Sequence, residues 1–124
     1  NQVYDTFCMV RDQYRVGFIV ITHDLLLARK FCERIVVMYC GRVLETNAAR
    51  ELFEHPRHPY TQGLIASLPH LGMKPMAGFS PAFTDQPSGC VFHPRCPYAE
   101  ARCRHTEPKS IPCGEGSVCC HRYA

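Results

Sequence analysis

The sequence predicts an α/β unit followed by a mostly irregular, cysteine-rich tail. Three observations predict it. The apolar run Phe18-Ile19-Val20-Ile21-Thr22 ends in the polar pair His23-Asp24 and lies between two stretches of helical spacing. A second run, Ile35 to Cys40, is followed by Gly41-Arg42 and a short apolar return. Six of the nine cysteines then crowd into Cys90 to Cys120, where proline and arginine are frequent and no period survives.

Val3, Phe7, Val10 and Tyr14 recur at the spacing of an amphipathic helix over residues 2–14. Arg15 to Gly17 turns that helix into the next element. Val20, Ile21 and Thr22 are β-branched in succession, so Phe18 to His23 reads as a buried, parallel strand. Asp24 then opens a helix with Leu25, Ala28, Phe31, Cys32 and Ile35 on one face. Val36 to Glu45 is a hairpin about Gly41-Arg42. Thr46 or Asn47 caps a short helix reaching about Glu54. The prolines of His55-Pro56-Arg57-His58-Pro59 exclude helix there, while Pro59 suits the first position of a new one. Tyr60, Leu64 and Leu68 form its stripe, and Pro69 stops it. Residues 69–89 read as a linker or wrapping segment, and the tail offers a turn or two near Pro97 to Arg104.

Composition removes several classes of function. A net charge of +3 without basic blocks or interleaved aromatics argues against nucleic acid. The longest apolar run is far short of a membrane span, and Asn1 to Tyr14 carries Asp5, Arg11 and Asp12 rather than a signal pattern. A cytosolic chain, or one attached to a membrane only through a partner, is expected. Cys8, Cys32 and Cys40 fall within the apolar pattern, where free cysteine packs as a small hydrophobe. An odd cysteine count concentrated at one end suggests a reduced compartment and a metal-binding tail, not a disulfide scaffold.

His23 sits where a strand runs out into a loop, the usual place for ligands in open α/β sheets. Position alone leaves a satisfied core histidine, with Asp24 as a helix cap, equally open. More specific is a resemblance carried by several stretches together. Phe18 to Asp24 and the hairpin Val37-Met38-Tyr39-Cys40-Gly41-Arg42-Val43-Leu44-Glu45 resemble the carboxyl-terminal end of an ABC-transporter ATPase subunit. Leu52-Phe53 with Pro56-Arg57-His58-Pro59-Tyr60-Thr61 narrows the resemblance to the oligopeptide/dipeptide importer branch. Gly78, Pro81, Gly89-Cys90, Arg95-Cys96-Pro97, Cys103 and Cys120-His121 resemble the cysteine-bearing tail of that branch.

The resemblance divides the chain into three parts. Residues 1–46 correspond to the end of the nucleotide-binding domain, 47–68 to a helical extension, and 69–124 to the linker and cysteine-rich tail. It also implies ATP and magnesium, a second ATPase subunit, transmembrane permease subunits, and a peripheral place on the cytoplasmic face of the membrane. Within it His23 is the switch histidine, which contacts the γ-phosphate and helps position the attacking water. No Gly-x-x-x-x-Gly-Lys-Ser/Thr loop, LSGGQ-like segment or strand ending in Asp-Glu occurs in this sequence. The chain is therefore expected to be the last third of such a subunit, not competent for hydrolysis alone. A rival expectation is a free-standing metal or redox module that hydrolyses nothing.

Two constellations remain. His55, His58 and Tyr60 surround two prolines in a helix-connecting turn and read as packing rather than catalysis. Cys90, Cys96, Cys103 and Cys120 are separated by five, six and sixteen residues. Structural zinc sites usually include a Cys-x₂₋₄-Cys knuckle, and this set has none. Its wide spacing suits a larger inorganic core, and Arg95, Arg102, Arg104 and Arg122 could offset the negative charge. The resemblance likewise implies a four-iron four-sulfur cluster. Zinc, and free thiols or disulfides, stay open as alternatives. Cys113 and Cys119 are surplus, with Cys119 competing with Cys120 as the fourth ligand.

Overall fold

A β-hairpin, not the apolar run at Phe18, organises this chain. The computed structural model describes residues 2–69, 75–76, 78–82 and 84–123. β1 (Arg34–Tyr39) and β2 (Arg42–Ala48) pair antiparallel, with Tyr39 opposite Arg42. Between them Cys40 and Gly41 have φ of 51° and 77°. Positive φ at both central residues gives the turn type whose twist matches paired strands. Glycine adopts it freely. Cys40 is steadied by the linker, because its carbonyl accepts from Gln86 Nε2 at 2.6 Å.

β1 alternates as a half-buried strand should, with Ile35, Val37 and Tyr39 inward and Val36 and Met38 outward. β2 does not. Val37 faces Glu45 but Met38 faces Val43, so Leu44 is one residue too many for its partner. That bulge turns both Leu44 and Glu45 inward.

Helices precede and follow the hairpin. α1 (Gln2–Tyr14) forms as its periodicity predicts. α2 (Leu25–Phe31) is capped by Asp24, whose Oδ1 accepts from the Leu27 N–H at 3.1 Å. α3 (Ala49–Glu54) follows β2 directly. Its expected caps are not used: Asn47 is still an inward strand residue, Ala48 takes the cap position, and the Glu33 carbonyl accepts from the Ala49 N–H. α4 (Pro59–Ala66) starts on its proline. Ala28, Ile35, Val37, Ala49 and Leu52 form one apolar cluster, with Tyr60 and Leu64 packed against it.

Two expectations are corrected. The buried parallel strand at Phe18 to His23 does not form. Ile19 and Ile21 are 97% and 96% exposed, and every described strand pair is antiparallel. An apolar run with side chains on both faces needs ladder partners and cover on each side, and the described residues supply neither. Only Phe18 is engaged by aromatic neighbours, edge-to-face with Phe7 at 5.4 Å and with Phe31 at 6.4 Å.

The second correction concerns the tail, which is less irregular than expected. α5 (Ala101–His105) falls at the anticipated turn, but β3 (Ile111–Cys113) and β4 (Gly116–Val118) were not anticipated. They extend the hairpin into an antiparallel sheet of order β1-β2-β4-β3, with Val118 opposite Glu45. Gly116 permits the approach, since a Cβ there would run into the Thr46 carbonyl oxygen. The expected linker at 69–89 lies partly outside the described residues, at 70–74, 77 and 83. Among the described residues no helix is long and apolar enough to cross a membrane.

Candidate functional site

The tail folds back so that the four candidate thiols act electrostatically on one another. Cys90 follows Gly89, whose φ of 67° and close approach to the Cys103 carbonyl leave no room for a side chain. The Cys90 N–H then donates to that carbonyl at 2.8 Å, tying the first cysteine segment to the third. Cys96 ends a single 3-10 turn over His93–Arg95, and Cys120 precedes another over His121–Tyr123. Burial pushes the Cys90 thiol up; the Phe92 N–H on its sulfur pulls the other way, and the nearby Cys103, Cys120 and Cys96 push it further. Cys120 is likewise raised by burial and feels Cys96 and Cys103. Cys96 is raised by burial and feels Cys103.

In three of these thiols the backbone two residues on opposes the rise: Phe92 lowers Cys90, Tyr98 lowers Cys96 and Arg122 lowers Cys120. A backbone N–H beside a sulfur favours the thiolate over the thiol. Cys119 points elsewhere. Its thiol is raised by burial and accepts from the Ser110 hydroxyl, while its N–H donates to the Leu44 carbonyl at 2.8 Å. Among the described residues no group of three or more His, Cys, Asp or Glu side chains is arranged to hold a metal ion.

Against this centre lies the proline-histidine-tyrosine turn. Glu45, 1% exposed, accepts from the Arg57 N–H at 3.0 Å and the His58 N–H at 2.8 Å. A strand-borne carboxylate thus holds a turn that has no ladder of its own. His58, also 1% exposed, accepts from the Tyr60 N–H through Nδ1 at 3.0 Å and so caps α4. That bond places the imidazole proton on Nε2, and burial pulls the ring's pKa down to about 4. Phe92 stands edge-on to His58 at 5.6 Å and to Tyr39 at 5.4 Å, with Tyr60 tilted against it at 5.3 Å. His58 and Tyr60 are packing and capping groups here. The Glu45 clamp is not legible in the sequence, because strand alternation without the bulge does not turn that carboxylate inward.

His23 is exposed, at the end of the unpaired stretch, and the structure does not bring it to the thiols. Its neighbours do local work: the Asp24 N–H donates to Thr22 Oγ1 at 3.0 Å, and the Asp24 side chain caps α2.

Leu44 to Cys103 match a family described as the oligopeptide/dipeptide transporter, C-terminal region. The match takes in β2, the histidine-proline turn and three of the four thiols, and it stops short of Cys120. Whole-chain comparison agrees. The chain is 38% identical over 125 residues to the dipeptide transport ATP-binding protein DppD of Haemophilus influenzae, covering 97% of this chain and 38% of that protein. It is 38% identical over 120 residues to the DppD of Caldanaerobacter subterraneus, covering 92% and 37%. A putative peptide import ATP-binding protein of Brucella ovis is 34% identical over 131 residues, covering 95% and 39%. The chain thus spans under two fifths of the length of these relatives. By sequence it is similar to the carboxyl-terminal part of these ATP-binding proteins.

Proposed function

We propose that this region works as the carboxyl-terminal part of an ATP-hydrolysing subunit that drives peptide import. One observation carries the reading: similarity to dipeptide transport ATP-binding proteins over 97% of the chain, including the turn held by Glu45. The partners are then a second ATPase subunit and transmembrane permease subunits, with the assembly on the cytoplasmic face of the membrane.

In the assembled subunit His23 is the switch residue. Its imidazole donates to a γ-phosphate oxygen and orients the attacking water, in a transfer governed by positioning and charge stabilisation. Exposure at the end of an extended stretch leaves the ring free to meet a nucleotide bound elsewhere in the subunit.

Cys90, Cys96, Cys103 and Cys120 are the ligand set of a four-iron four-sulfur cluster in this reading, with zinc as the alternative. Support comes from the thiolate donor chemistry and from the mutual electrostatic influence of the four thiols. When bound, the group supplies a cross-link among loops that carry few apolar residues.

The test is a chimera in which this chain replaces the matching segment of a dipeptide transport ATP-binding protein. Dipeptide uptake and ATP turnover should be retained. His23→Ala in the chimera should lower turnover on the order of 100-fold while nucleotide binding stays. A folded, permease-assembled chimera without uptake would leave the free-standing metal module as the better account. Near-normal turnover of the alanine variant would remove His23 from the mechanism.

A further inference from the structure

The histidine at the end of the unpaired stretch stands between two residues that are bonded to each other across it. Asp24 is fixed at all three of its polar groups. Its side-chain Oδ1 accepts from the Leu27 N–H at 3.1 Å, and its carbonyl accepts from the Ala28 N–H at 3.1 Å. Its own N–H donates to Thr22 Oγ1 at 3.0 Å. The first two bonds tie it to α2, and Ala28 of that helix belongs to the apolar cluster with Ile35 and Val37 of β1. The third spans His23, where the backbone bends.

A threonine hydroxyl that accepts from the N–H two residues on closes a small ring about the residue between them. That ring restricts the backbone of His23, and with it the direction in which the imidazole leaves the chain. No ladder does this instead, since none of the described strands pairs with residues 16–22. The Phe18 ring contacts lie farther back in the run. Thr22 is itself exposed, so its hydroxyl fills no core. The bonds at Asp24 span two to four residues, so they hold whatever packs beside the run in a longer chain.

We propose that Thr22 is the positioning residue of His23: its side-chain oxygen, bound to the Asp24 N–H, sets the angle at which the imidazole meets the terminal phosphate of a nucleotide. The inference rests on the switch role proposed for His23 and names the residue that aims that ring. Phosphoryl transfer is governed by positioning, and a misplacement of about 1 Å can cost on the order of 100-fold in rate. Serine offers the same acceptor, whereas valine matches the shape of threonine and offers none. At an exposed site valine leaves no buried polar group unpaired, so folding is spared.

The experiment uses the chimeric subunit assembled with its permease. It compares Thr22→Val, Thr22→Ala, Thr22→Ser, His23→Ala and the double variant Thr22→Val with His23→Ala. Turnover at saturating ATP, nucleotide affinity and melting temperature are measured for each. Thr22→Val and Thr22→Ala should lower turnover about 10-fold, with affinity and melting unchanged. Thr22→Ser should recover most of the loss. The double variant should turn over no more slowly than His23→Ala alone, because a residue that acts through the imidazole then has nothing left to aim.

Parental turnover in Thr22→Val and Thr22→Ala, beside a crippled His23→Ala, removes this inference and leaves the switch reading standing. A serine variant as slow as valine also overturns it, since the acceptor would then not be what matters. So does a valine effect that persists in full without the imidazole, or one that appears in nucleotide affinity rather than in turnover. Normal turnover of His23→Ala removes the switch reading and this inference together.

Discussion

His58 shows how one side chain ties pH to the fold. In the unfolded chain its pKa returns to the usual histidine value near 6.5, whereas burial holds it at about 4 in the folded state. Between those values the unfolded chain binds the proton and the native one does not, so stability falls as pH falls through that window. The full loss is of order 3 kcal/mol, at up to about 1.4 kcal/mol per pH unit. The groups facing the ring's surroundings are the Glu45 carboxylate on the adjoining N–H groups, Tyr60 on Nδ1 and the Phe92 edge. Protonation would displace the Tyr60 N–H from Nδ1, because that nitrogen can no longer accept. Urea unfolding at pH 7.5 and 4.5 should therefore show a marked drop for the wild type. His58→Asn keeps an N-cap acceptor without a titrating ring, and should show a clearly shallower drop. Equal pH slopes in the two proteins would remove His58 as the source.

Between elements, the decisive contact is β2 with β4. Only Glu45↔Val118 and Thr46↔Ser117 pair there, and Gly116 allows the chains to meet. Gly116→Val forces β4 away from Thr46. It should cost about 1–3 kcal/mol, as overpacking does, and should open the tail to limited proteolysis ahead of the hairpin. Unchanged melting and protease resistance would mean that the β2–β4 ladder contributes nothing. This same contact marks the limit of what the sequence revealed. The β1–β2 hairpin was legible because the apolar run Ile35 to Cys40 meets a turn glycine and an apolar return, and α4 because Pro59 suits a first helical position ahead of the Tyr60, Leu64 and Leu68 stripe. β4 was not, since Gly-Ser-Val is too short to show a period. The run at Phe18 read as a strand from its β-branched residues, but a strand exists only with a ladder partner, and none of the described strands lies beside it. For the candidate centre, spacing picked out four cysteines and could not choose between Cys119 and Cys120. In the fold Cys119 turns to Ser110 and Leu44.

At the scale of the whole molecule, the candidate centre and the histidine-proline turn form one mechanical unit. Three links join them. Phe92, two residues after Cys90, fills the space between Tyr39, Tyr60 and His58. Cys119, next to Cys120, hangs from the Leu44 carbonyl on β2. Tyr123, three residues past Cys120, donates its hydroxyl to the Arg57 carbonyl at 2.7 Å. A ligand that binds only the folded tail stabilises whatever folds with it, by about 2.7 kcal/mol at a hundredfold excess over its dissociation constant. Loading the four thiols should thus slow amide exchange in β2 and in Arg57 to Thr61, far in sequence from those four thiols. Residues 15–22, which lie outside these links, should exchange as fast loaded as empty. Tyr123→Phe keeps the ring and removes the hydroxyl. It should abolish the added protection of Arg57 to Thr61 while leaving that of β2, which depends on Cys119. If protection on loading stayed confined to residues 89–123, the tail would be a ligand-binding appendage with no grip on the turn. If it spread evenly to residues 15–22, the chain would be one cooperative block and the three links would not be its route.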